Sequence, residues 1–374
     1  MRPSCGATYL IERGKTHMDY MKDWEKTKQR FAAFWRGEYL DRCCIAVTAP
    51  MGPPLPKPGP DAPQEELVRY WTDGEAILQR SLAQFERTYF AGDAFPQIFL
   101  NLGAAGHAAF FRGADYRFAD TVWFTEWIHD IETDAVAFDP AAPLYRKTLE
   151  LARFFATESR GRFLVSMPDT CGNLDALAHM RGNENLLLDL YDAPEWIERT
   201  LPAIQQAWER VISAVYEAVR DVNDGGSCVG WLNTWAPGLH AQMQCDFSVM
   251  ISPQDYARFV MPELRAQCAR LDYALYHLDG MEQTRFLDLL LAQPDLRAIQ
   301  WTWVEGQPSP VEFLPVLRRI QQAGKGLVLP GCALRDLPEL LEGLSARGLL
   351  ICAEASSPEE VDAAVRLAER LAHA

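Results

Sequence analysis

The sequence predicts an α/β fold: a (β/α)8 TIM barrel with an N-terminal helical extension. Three observations lead there. Eight short β-rich runs alternate with helical patterns along the chain. The helices carry start and stop signals where the alternation needs them. No Gly-rich dinucleotide fingerprint follows any run, which disfavours the open doubly wound sheet that the same alternation would allow.

Residues 1–17 show no periodicity and are expected to be a disordered lead-in, or to precede a true start at Met18; residues 18–374 are expected to form a single barrel domain. From Met18, "MDYMKDWEKTKQRFAAFWRGEYLDR" reads as an amphipathic helix. The first strand is "CIAVTA" (44–49), and the helical "EELVRYWTDGEAILQRSLAQFERTYF" separates it from the second, "PQIFLNL" (96–102). "PGPDAP" (58–63) and "DPAAP" (139–143) are loops. "RFLVSM" (162–167) is followed by helices through "LYDAPEWIERTLPAIQQAWERVISAVYEAV", then "SCVGWL" (227–232).

The helix "SPQDYARFVMPELRAQCARL" opens with Ser252 as N-cap and Pro253 at the first helical position. Then follow "ALYHLD" (274–279), "AIQWTW" (298–303), "GLVLPG" (326–331) and "LLICAEA" (349–355), each with a helix behind it. Gly324 and Gly348 stand where helices should stop, and "SSPEE" opens the last helix with acidic residues in its first turn.

Composition excludes several functions. A formal net charge of −15 argues against nucleic acid, whose phosphates need clustered Lys and Arg. No run approaches the roughly 18 apolar residues of a membrane span. Nine scattered cysteines without a CxxC pair suit a reducing compartment, so the protein is expected in the cytoplasm, acting on a small molecule.

In a barrel, functional side chains gather at the C-terminal ends of strands. His277 and Asp279 in "YHLDG" meet that condition, and a strand period of two puts them on one face. They could bind a metal or work as an acid–base pair. Asp169 and Asn173 in "MPDTCGNLDAL" are either helix caps or, for Asp169, a carboxylate that polarises substrate or moves a proton. Asn101, Trp231, Trp301 and Glu305 lie at or just past strand ends and are the candidate substrate-binding residues. Trp235 and Trp303 complete two aromatic clusters suited to a flat or methylated ligand, or to packing. Cys245 and Asp246 follow the "VGWLNTW" region in a loop, and Cys332 follows another strand, whereas Cys43, Cys44, Cys228 and Cys268 read as core.

Three segments, "MRGNENLLLDLYDAPEWIERTL" (180–201), "MISPQDYARFVMPEL" (250–264) and "YHLDG" (276–280), match in order and spacing the motifs of the uroporphyrinogen decarboxylase superfamily, which the chain resembles from about Phe163 onward. That superfamily contains decarboxylases and zinc-dependent, corrinoid-linked methyltransferases. The arginine-rich motif of the decarboxylases is reduced to one arginine in "DRCCIAVTAPMGPP", so porphyrinogen decarboxylation is not expected.

The methyltransferases carry His-x-Cys at this strand end and a second cysteine after the last strand, and these hold zinc. Here the motif reads His277-x-Asp279, and Cys352 lies near the last cysteine. The resemblance implies a zinc site of His277, Asp279 and a cysteine, with Cys245 in first place and Cys332 and Cys352 as alternatives. The implied activity is a zinc-dependent methyltransferase acting on a thiol or methylated small molecule, with a corrinoid carried by a partner protein. A lyase or decarboxylase of a smaller acid, using Asp169 or the His277–Asp279 pair, is the second expectation. The third is a barrel that binds without catalysis.

Overall fold

The computed structural model describes residue 18 and residues 20–373, apart from 60 and 305; the expected lead-in of residues 1–17 lies outside these. The described strands are β1 (Cys44–Pro50), β2 (Thr88–Gly92), β3 (Gln97–Ile98), β4 (Asp115–Phe118), β5 (Val122–Thr125), β6 (Leu164–Val165), β7 (Ser227–Val229), β8 (Thr234–Ala236), β9 (His240–Met243), β10 (Tyr273–Asp279), β11 (Leu296–Thr302), β12 (Gly326–Cys332) and β13 (Leu349–Glu354). Seven of them form the central sheet in the order β2-β1-β13-β12-β11-β10-β9. All neighbours in it are parallel except β2, which runs antiparallel along β1.

The hydrogen-bonded ladder does not close into a ring among the described residues. β3 pairs only with β6, in parallel, while β4–β5 and β7–β8 are antiparallel hairpins. Single bonds bridge the gaps: Met167 N–H donates to Cys228 O at 2.8 Å, and His240 N–H donates to Ser227 Oγ at 2.7 Å. Prolines shorten the pieces, since Pro96 precedes β3 and Pro168 follows the β6 region, and neither can donate to a ladder. The runs expected at 96–102 and 162–167 thus shrink to two paired residues each. The run at 227–232 stops at Gly230 and turns back into β8. β9 was not expected at all.

Strand alternation sorts side chains into two layers. Ile45, Val47, Tyr276, Leu278, Ile299, Trp301, Leu327 and Ile351 join the large apolar cluster shared with the surrounding helices. Cys44, Ala46, Leu164, Cys228, Leu275, Ala298, Val328 and Leu350 form a second, inner cluster. The helix Trp24–Trp35 inserts Trp24, Phe31, Phe34 and Trp35 into this inner layer. It starts at Trp24 and not at Met18, with Asp23 as N-cap accepting from Lys26 N–H at 3.0 Å. The expected N-terminal extension is therefore not an appendage: this helix seals the inner layer from the N-terminal ends of the strands.

A buried ion cluster fastens the seal. Asp93, fully buried just after β2, accepts from Arg42 Nη1 at 2.5 Å, Arg30 Nη1 at 3.1 Å, Ile45 N–H at 3.0 Å and Thr27 Oγ1 at 3.1 Å. Among the described residues no helix is long and apolar enough to cross a membrane.

Candidate functional site

The parallel register between β10 and β11 pairs Leu275 with Ala298, His277 with Gln300 and Asp279 with Thr302. The first pair belongs to the inner apolar layer, so the next two pairs lie above it on the same face, toward the C-terminal strand ends. His277 Nδ1 meets the side-chain oxygen of Gln300 and lies 3.2 Å from Thr302 Oγ1, which in turn accepts from Gln300 Nε2 at 2.5 Å. An acceptor at Nδ1 places the ring proton there and leaves Nε2 as the free nitrogen. That nitrogen lies 4.0 Å from Asp279 Oδ1. Trp231 packs edge-on against the His277 ring, centroids 5.1 Å apart. The chain leaves the strand through Gly280 at φ 76°, where a Cβ would come within 2.9 Å of Val304.

β9 supplies the other half. It pairs with β10 so that Gln242 stands beside inward-facing Leu275. His240, Gln242 and Gln244 therefore face inward, and Ala241, Met243 and Cys245 join the outer cluster. Continuing the alternation returns Asp246 to the inner side. Gln244 Nε2 donates to Asp246 Oδ2 and to Cys171 Sγ, both at 3.0 Å, and Gln242 Nε2 donates to Asp169 Oδ1 at 3.0 Å. Asp175 is fixed from both sides by Gly172 N–H at 3.0 Å and Phe247 N–H at 2.8 Å.

The result is a convergent donor set. One ligand atom each of Asp246, His277 and Asp279 lie within 4.8 Å of one another, and Cys171, Asp175 and Asp246 form an adjoining group by the same measure. Asp246 is exposed as a residue, although protein surrounds most of its carboxyl. Withdrawal from water, with repulsion from Asp175 and Asp279, pushes that carboxyl up to about 8. Burial also raises Asp169, which the hydrogen bonds from Cys171 N–H and Gln242 partly offset. One imidazole nitrogen and two carboxylates suit zinc or another divalent cation. A cation between them would relieve the repulsion at Asp246, so the residues present fit a metal.

The expected site residues separate cleanly. His277, Asp279 and Trp231 come together, with Asp169 among the charges that feel His277. Cys245 does not join them: as an outward residue of the β9 alternation it is fully buried in the outer cluster, and Asp246 stands in its place. Trp301 is also on the outer face, buried against Phe313 at 4.9 Å between centroids. Asn101 is exposed, accepts from Gly103 N–H at 3.3 Å, and lines a different cavity with Lys57, Tyr70 and Arg80. Glu305 lies outside the described residues.

Cys332 is buried in the outer cluster; Cys352 faces inward but deep, opposite Ala46. Trp235 packs on Trp24 below the site, and Trp303 is exposed with its N–H on Gln307 O. Gln242, Gln244, Gln300 and Thr302 escaped sequence reasoning. Their signal is the alternation in "HAQMQCD" and "AIQWT", which puts every polar residue on one face.

Glu263 underlies the loop that carries Asp169 and Cys171. Its Oε1 accepts from Asn173 N–H at 2.7 Å, at the start of the helix Asn173–Arg181. Burial raises its carboxyl from 4.5 to about 8. The folded state thus holds a proton that the unfolded state gives up. The associated stability is complete below the unfolded value of about 4.5 and is lost as pH rises through about 8. Glu263→Gln should therefore gain stability over the parent at pH 8.5, on the order of 2–4 kcal/mol, and gain little at pH 5. Urea unfolding at the two pH values checks this, and an equal difference at both would rule it out.

No family model matches the chain, and no curated protein matches it in sequence. Among solved structures it is similar to a methyltransferase from Methanosarcina mazei, with a TM-score of 0.57 and 14% identity over 92% of this chain and 98% of that one. A B12-independent methionine synthase from Shewanella sp. W3-18-1, solved with selenomethionine, aligns at a TM-score of 0.49 and 12% identity, over 87% of this chain and 97% of that one. The first likeness is one of fold: the mixed α/β chain with its parallel central sheet aligns along nearly its whole length with that methyltransferase, although its own ladder does not close among the described residues. This agrees, at the level of fold, with the α/β architecture that the sequence resemblance implies.

Proposed function

We propose that the protein is a methyltransferase-like enzyme in which His277, Asp279 and Asp246 hold zinc, and that its substrate is a thiol or a methylated small molecule. A corrinoid protein is the partner this reading implies. The observation that carries it is the approach of the three ligand atoms to within 4.8 Å of one another, on a histidine whose other nitrogen is already engaged by Gln300. Bound zinc supplies an open position at which a thiol is held as thiolate near neutral pH.

The chain's own side chains do the rest. Gln300 and Thr302 fix the tautomer and orientation of His277. Trp231 covers one edge of its ring. Gln244 and Gln242 orient Asp246 and Asp169. The methyltransferase fold of the Methanosarcina mazei protein supports the reading by analogy.

Two measurements test it together. Purified protein equilibrated with zinc and desalted should retain about one zinc per chain. Incubated with methylcobalamin and a thiol, it should deplete the methylcobalamin absorbance faster than His277→Ala does. Protein that stays metal-free after equilibration would sink the proposal.

A lyase reading has one observation in its favour. Asp246, pushed up to about 8, keeps its proton to unusually high pH, as a general acid must, and burial moves Asp169 in the same direction. Turnover that survives exhaustive chelation would select this reading over the first.

A further inference from the structure

A cavity of about 430 Å3 lies away from the strand ends, between the helices Pro194–Val219 and Met261–Arg270. Its walls are apolar, with Leu201, Pro202, Phe259, Pro262 and Ala266, and one end is polar, with Asn173, Gln205 and Glu263. Phe259 belongs to a π-helical turn, Tyr256–Val260, a distortion found often beside binding sites.

At the polar end the side-chain amide donors are already engaged. Asn173 Nδ2 donates to Gln205 Oε1 at 2.7 Å, Gln205 Nε2 to Glu209 Oε1 at 3.1 Å, and Gln267 Nε2 to Glu263 Oε1 at 3.2 Å. Once Glu263 is ionised, above about pH 8, the acceptors are in surplus. Glu263 Oε2 and Gln267 Oε1 are buried without a hydrogen-bond partner, on residues 5% and 0% exposed. Asn173 Oδ1 is turned instead to the buried His107 ring. Among the described residues that line the cavity, the one cation, Arg258, is engaged by Glu198 at 2.7 Å. Pro202 further removes an N–H that would have covered the Glu198 carbonyl inside its helix.

Buried acceptors without donors are costly, and a carboxylate without a cation more so. The complement to such a site is a group rich in N–H, positively charged, on an apolar stem. We propose that this cavity binds a primary alkylammonium compound, its head on Glu263 and its chain along Leu201, Phe259 and Ala266. The elevated Glu263 carboxyl fits a buried acid that lacks its counter-ion. The site is independent of the metal reading.

The test is calorimetric titration of metal-free protein at pH 8.5 with n-hexylammonium chloride, alongside n-hexanol and sodium hexanoate. Hexylammonium should bind about tenfold or more tightly than either control. Glu263→Gln should weaken it about tenfold while circular dichroism stays unchanged, and Ala266→Leu, which fills the cavity without touching the carboxylate, should do the same. The proposal is overturned if no saturable heat is seen, if hexanol binds as tightly as the amine, or if Glu263→Gln keeps its affinity within about twofold.

Discussion

His277→Ala and Asp246→Asn should each weaken zinc binding about a thousandfold or more, while Cys245→Ser leaves it within about threefold. The contrast follows from strand geometry. Cys245 and Asp246 are adjacent in sequence, and only the second lies on the inner side of the β9 alternation with His277. Gln300→Ala should cost a smaller factor, about 10–100-fold, because it holds the ring and not the metal. Competition against a chromogenic chelator measures all four.

The pH dependence should mark Asp246 separately. Its carboxyl, pushed up to about 8, must release a proton before it can coordinate, so affinity should climb at least about tenfold per unit from pH 6 toward pH 8. Asp246→Asn should flatten part of that climb. If Cys245→Ser proves the damaging change instead, the site assigned here is wrong.

Asp93→Ala should destabilise the fold by about 3–5 kcal/mol. Asp93 is fully buried and gathers Arg42, Arg30, Thr27 and the Ile45 N–H on one carboxylate. Removing it strands the Arg42 guanidinium, which is itself buried. Pairing the change with Arg42→Met should recover part of the loss, since the penalty lies in the uncompensated charge. Denaturant unfolding of the single and double variants checks both statements. A single variant within 1 kcal/mol of the parent, on the order of a surface change, would show that the cluster does not fasten the seal.

How much was visible in advance depended on what each strand buries. β10 to β13 were legible because apolar residues on both faces make short continuous runs with helices behind them. The pairing of His277 with Asp279 needed only the period of two. β9 was not legible, because its inner face is His240, Gln242 and Gln244, and polar residues bounded by "APG" read as loop. That omission carried Cys245 into the site in place of Asp246. Trp301 was legible in principle: it alternates with Gln300 and Thr302, but its side could be fixed only once β11 was registered against β10. The role of the helix Trp24–Trp35 is a tertiary fact, since amphipathicity says that a face is buried and not where.

That helix has a consequence for traffic through the molecule. Trp24, Phe31, Phe34 and Trp35 fill the inner layer beneath the polar residues, so among the described residues His277 is approached from the C-terminal side of the strands. On the proposed methyltransferase reading, a methyl donor and its acceptor would share that side of the sheet. A carrier protein docked there would compete with the small reactant for one face.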